Sequence, residues 1–278
     1  MSPTAAGALV LAALSVAGAV ARASRGSLSG RARRQFLEAM AAAAVLFWAT
    51  DSAWAERSMT DLTDHMISHI LLMFLVPLVL VHSGVSRLWW WALPVGPRRR
   101  VLRWWYLRRR VRAPRWLAHP LTAALSLNAV MVSAHVPAIF DFLMDHRWAM
   151  DWLMEPAFLL SGLWFFHFLV TSRPRRLRSR LRWQATMVVA TMLEMLLVAM
   201  ALSIFTHHAW YHLSAPAMAS MGMTGATSTG FDWHHQQLAA GVLWICGDFW
   251  AVPLLAVIVR RVVVREGSLF AVLERPFS

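Results

Sequence analysis

Apolar residues fall in long runs along this chain, and polar residues collect in the gaps between them. The clearest run follows DLTDHMISH and continues as ILLMFLVPLVLV without a charge, giving a helix over His65 to Val81. About 20 apolar residues are enough to cross a hydrocarbon core as a helix. Comparable runs lie at residues 5–21, 35–50, 120–142, 152–171, 184–205 and 236–259. The pattern predicts an all-α, polytopic membrane bundle of seven transmembrane helices with no sheet domain. The first arginine, Arg22, follows the first apolar run, whereas a signal peptide wants positive charge before its apolar core. Residues 5–21 therefore read as a retained span; were they removed, six spans would remain in the same orientation.

The polar gaps alternate in character. Residues 22–34, 82–118, 173–182 and 260–278 hold 25 of the 27 arginines, and the intervening gaps hold only Arg57 and Arg147. Basic residues mark cytoplasmic loops, so the expected topology is N-out/C-in. Three units follow: residues 1–34, a first helix with a basic link; residues 35–260, the transmembrane core; and residues 261–278, a cytoplasmic tail. Within the core, segment 84–118 interleaves arginine with tryptophan, the composition of a helix lying on membrane lipid. Residues 206–235 form an outer loop rich in histidine and methionine.

Composition narrows the classes. The chain is 58% hydrophobic and only 15% charged, less charge than a soluble domain carries. The formal charge is +13, and every basic residue is arginine. These arginines flank apolar runs instead of forming a folded basic surface, which reads as lipid contact and topology, with no nucleic-acid partner. The single cysteine, Cys246, excludes an internal disulfide.

The expected topology sorts the histidines by depth. His65 and His69 stand four residues apart, one helical turn on one face, at the outer mouth of the third span. His135, sixteen residues beyond His119, reaches the outer half of the fourth span at about 1.5 Å per residue. His146, His207, His208, His212, His234 and His235 lie at or beyond the same surface, with Met218, Met221 and Met223 among them. Imidazole and thioether together match a soft or borderline metal, and copper takes both. The expected site is His65, His69 and His135, with a fourth position from His235, His208 or a methionine. His207, His212, His234 and the three loop methionines are accessory candidates, and the same methionines read equally as a plain loop.

Two carboxylates, Glu194 and Asp248, fall midway along the sixth and seventh spans, where ionisable groups are costly and default to function. They suggest a cation path, or a polar clamp to Asn128 or Gln184. Two alternatives therefore stand beside a metal-handling protein: a transporter of copper or another cation using Glu194 and Asp248, and a haem-binding electron carrier with axial histidines. No HExxH, GxSxG or phosphate loop occurs, so an enzyme is not expected.

Three blocks resemble a known family. His65, His69, Leu71, Leu72, Met73 and Pro77 form the first; His135, Pro137 and Asp141 the second; His235, Gln236, Gln237, Leu238 and Trp244 the third. Together, over residues 60–260, they resemble the CtaG-type integral membrane assembly factors of caa3 cytochrome c oxidase. The resemblance implies a bacterial plasma-membrane protein that works with cytochrome c oxidase subunits, by copper delivery or maturation of the binuclear centre. Two positions depart from the family pattern: His235 stands where members have aspartate, and Glu155–Pro156 where they often have histidine.

Overall fold

A computed structural model describes residues 1–24, 29–108, 117, 119–170, 177–206, 208–211 and 233–266. Among them the chain is helical, with no strand. The helices are α1 (Pro3–Ala23), α2 (Gly30–Thr50), α3 (Ala53–Arg57), α4 (Leu62–Ile70), α5 (Val76–Ser83), α6 (Ser86–Ala92) and α7 (Val95–Arg108). They continue as α8 (Pro120–His135), α9 (Pro137–Asp145), α10 (Arg147–Ala149), α11 (Glu155–Val170), α12 (Leu177–Ser203) and α13 (Trp233–Glu266). Two π-helical turns interrupt the series, Leu71–Leu75 between α4 and α5 and Met150–Met154 before α11.

Among the described residues, five helical stretches are long and apolar enough to cross a membrane: Pro3–Ala23, Leu62–Ser83, Arg147–Val170, Trp183–Ser203 and Trp233–Arg261. A sixth follows if α8 and α9, bent by 76° at their junction, are counted as one span. Seven were expected, and the shortfall lies in α2, where Arg31, Arg33, Arg34 and Glu38 occupy the first half of the helix. The fourth span expected over 120–142 is broken at Val136, which is extended (φ −68°, ψ 124°) before Pro137. A residue preceding proline is driven out of the helical region by the ring, which accounts for the break.

Three glutamines knit the helices end to end. The carboxyl end of a helix leaves carbonyls without internal partners. Gln35 of α2 donates to Ser83 O and Gly84 O (3.0 and 3.2 Å) at the end of α5. Gln184 of α12 donates to Phe168 O and Leu169 O (3.0 and 2.7 Å) near the end of α11. Gln236 of α13 donates to Leu202 O (2.9 Å) on the last turn of α12 and accepts from Trp210 N (2.8 Å).

The core is built on close approach of α11 to the first π turn. Pro77 has no N–H to bond the carbonyl four residues back, Met73 O. That carbonyl faces Gly162, where an added Cβ would stand 2.2 Å from Met73 O and 2.8 Å from Pro77 Cγ. Only glycine lets the helices pack this closely, and the contact holds the π turn and α5 against α11.

Candidate functional site

Asp61 starts the element that carries the first two histidines. Its carboxylate accepts from Thr63 N and Asp64 N (2.8 and 3.2 Å), an N-cap that sets the register of α4. The buried face of α4 comprises Leu62, His65, Met66 and His69, the i, i+3, i+4, i+7 spacing of one helical side. His65 and His69 therefore point inward, with ring centroids 4.3 Å apart. The break at Pro137 ends α8 at His135, whose ring centroid lies 5.9 Å from that of His69. The three expected histidines meet in the core, with 1%, 4% and 5% of their surfaces exposed.

Aromatic rings enclose the cluster. Phe140 of α9 lies edge-on to His65 (5.3 Å), and Phe158 of α11 lies edge-on to His69 (4.5 Å). Tyr211 stacks obliquely on Phe140 (3.9 Å), and its hydroxyl donates to His135 O (3.3 Å), a carbonyl left over where α8 stops. Burial, with the nearby Asp141 charge adding to it, raises the Tyr211 pKa and keeps the phenol a donor.

The ring nitrogens are unequal. His65 Nδ1 donates to Ser58 O (3.2 Å) and His135 Nδ1 donates to Met131 O (2.7 Å). Those bonds fix each ring as the tautomer with a free lone pair on Nε2, the arrangement that orients histidine ligands. His65 Nε2 and both nitrogens of His69 have no hydrogen-bond partner. His135 Nε2 faces Met66 Sδ at 3.3 Å. A buried polar atom without a partner costs about 1–3 kcal/mol, so this cluster is strained as it stands. The rings meet edge to face, and among the described residues no three His, Cys, Asp or Glu side chains are grouped as a metal centre.

The remaining candidates do not join the cluster. His235, expected fourth, is exposed along with His234 on the first turn of α13. The buried stripe of that helix runs Gln236, Ala239, Ala240, Leu243 and Gly247, and each histidine sits off it. His208 is also exposed. His207, His212, Met218, Met221 and Met223 lie outside the described residues. Asn128 accepts from Thr191 Oγ1 (2.9 Å), so it clamps α8 to α12 rather than meeting Glu194. Both Glu194 oxygens are buried without a hydrogen-bond partner. Asp248, one residue past the buried Gly247, is exposed on the outside of α13.

Sequence reasoning missed Met66, although it stands three residues before His69 and thus on the same flank. It also missed a small cavity of about 20 Å³ beside His65 and His69, lined in part by Met59, Met150, Met154 and Glu155. Glu155, noted above only as a departure from a family pattern, thus stands next to the histidines, and its carboxylate accepts a hydrogen bond from the Thr4 hydroxyl of α1.

Taken together, these observations describe a polytopic helical membrane protein whose core holds a buried cluster of imidazoles and one thioether. The sequence model of the cytochrome c oxidase caa3 assembly factor family (Caa3_CtaG) matches residues 8–265, nearly the full length, and the chain belongs to that family. No curated protein and no solved structure gives a match.

Proposed function

We propose that this chain is a non-enzymatic, multi-pass plasma-membrane factor that binds copper at His65, His69 and His135 and passes it to a haem–copper cytochrome c oxidase. The observation that carries this reading is the set of ring nitrogens left without partners, His65 Nε2 and both nitrogens of His69, in a buried aromatic enclosure. Neutral imidazoles with anchored far nitrogens and a thioether at 3.3 Å suit copper, which accepts both ligand types. Copper here is cargo, so a site that is incomplete and strained when empty suits release as well as capture. Met66 replaces His235 as the fourth donor in this reading.

The distribution of arginines along the chain supports an N-out/C-in arrangement. The histidine cluster then lies toward the extracytoplasmic side, and α2 and the bent α8–α9 pair complete seven crossings.

The test is metal analysis of the purified protein, wild type against His65→Ala, His69→Ala and His135→Ala, alongside oxidase activity in a deletion strain complemented with each variant. About one Cu(II) per chain, lost in all three together with oxidase activity, is expected. Unchanged Cu(II) in the His65 and His69 variants overturns the site.

A further inference from the structure

The cavity beside the histidines has its own chemistry. We propose that Met59, Met150 and Met154 form a reception site for a soft monovalent cation, Cu(I), which passes from there to His69. This rests on the copper reading above and adds an outer station to it.

Three methionines line the cavity from two parts of the chain. Met59 comes from the connection between α3 and α4, and Met150 and Met154 are the two ends of one π turn. At a spacing of four residues, Met150 and Met154 share a side of their helix, and both are buried. π turns are uncommon and occur often at functional sites. All three methionines line the same space as His65 and His69. Its volume of about 20 Å³ suits a single ion or one water.

A second observation points to a ligand. Both nitrogens of the buried His69 lack partners, and His69 itself lines the cavity. The charged lining residues have partners of their own: Asp151 faces Arg147 Nε at 3.9 Å, and Glu155 accepts from Thr4. Three methionines and two imidazoles make up the soft part of the lining, a set that favours Cu(I) over a hard cation.

Exposure falls in order along this lining. The Arg147 side chain is 55% exposed and Asp151 24%, whereas Met150 and Met154 are each 6% and His69 4%. Arg147 and Asp151 thus mark the outer end of the lining, and the methionines and His69 its buried end. The transfer exchanges ligands only. A Cu–S bond to Met150 or Met154 breaks as a Cu–N bond to a His69 lone pair forms. The metal stays Cu(I), and no proton or electron leaves.

The test uses the full-length chain in detergent with Ag(I), a redox-inert probe for Cu(I), and with Cu(II) as the harder comparison. In Met150→Leu/Met154→Leu, close in volume and apolar, Ag(I) affinity should fall about tenfold or more while Cu(II) stoichiometry is kept. Met59→Leu, from a separate element, should weaken Ag(I) in the same direction. In His69→Leu, Ag(I) should remain at the outer station, with X-ray absorption showing sulfur neighbours only. Unchanged Ag(I) affinity in both methionine variants, in a wild type that binds copper, overturns this inference alone. A wild type that takes up neither Ag(I) nor copper overturns the reading of the whole site.

Discussion

Two regions place polar groups inside the apolar bundle, and they are built oppositely. On α4 and α8, three histidines converge in a space walled by Phe140, Phe158 and Tyr211. On α12 and α13, Glu194 and Asp248 sit midway along their spans, yet Asp248 faces outward and Glu194 has no partner. Position along a span is alike in the two cases; position around the helix is not. The histidines occupy the buried stripe of α4, and Asp248 lies one step off the buried stripe of α13. Depth in a membrane is thus a poor guide to a shared site unless the azimuth agrees as well.

The sharpest break between the regions comes from His69→Leu. Cu(II) binding at the imidazoles and oxidase activity should fall to background, while the apo-protein gains about 1–3 kcal/mol by losing two unpartnered nitrogens. Thermal unfolding in detergent and metal analysis read the two effects together. A variant that is less stable and keeps its Cu(II) would show the histidine to be a packing residue.

Next in size is a pair of glycines, one in each region. Gly162→Ala sets a methyl 2.2 Å from Met73 O, so α11 must move away from the turn that follows the histidines. A loss of about 1–3 kcal/mol and weaker copper binding are expected. Gly247→Ala meets only Met195 side-chain and Cβ atoms at 3.5–3.7 Å, ordinary contact, and should change unfolding little. Equal effects at the two positions would remove the claim that only the first region is tightly packed around its polar groups.

A smaller effect is expected from Tyr211→Phe. It removes the hydroxyl that serves His135 O and should cost about 1 kcal/mol in unfolding, with a modest drop in copper affinity.

The smallest effect concerns the carboxylates. Glu194→Gln and Asp248→Asn should leave copper stoichiometry as in wild type, since neither group lies in the histidine cavity. Metal flux in vesicles that disappears with Glu194→Gln would instead give the second region the transport role.

Much of this was legible in the chain. Most of the apolar runs marked candidate spans, because a membrane helix must satisfy its backbone internally and present side chains lipid will accept. His65 and His69 were readable as a pair because helical periodicity alone puts residues four apart on one face. Counting rise per residue put His135 level with His69, whose ring its own ring faces at 5.9 Å. His235 was misjudged as a fourth donor because the first turn of α13 buries Gln236, whose amide ties it to α12, and so turns its neighbour outward. The sequence by itself determined the class of protein and the residue types of the site, since both depend on local pattern and spacing. Only the tertiary structure decided which donors meet. The break at Pro137 aims His135 back at α4, Gly162 admits α11 against the π turn, and the turn Met150–Met154 brings two thioethers to the histidine cavity. Those are contacts between residues far apart in the chain, and helix rotation, which no local pattern specifies here, selects among them.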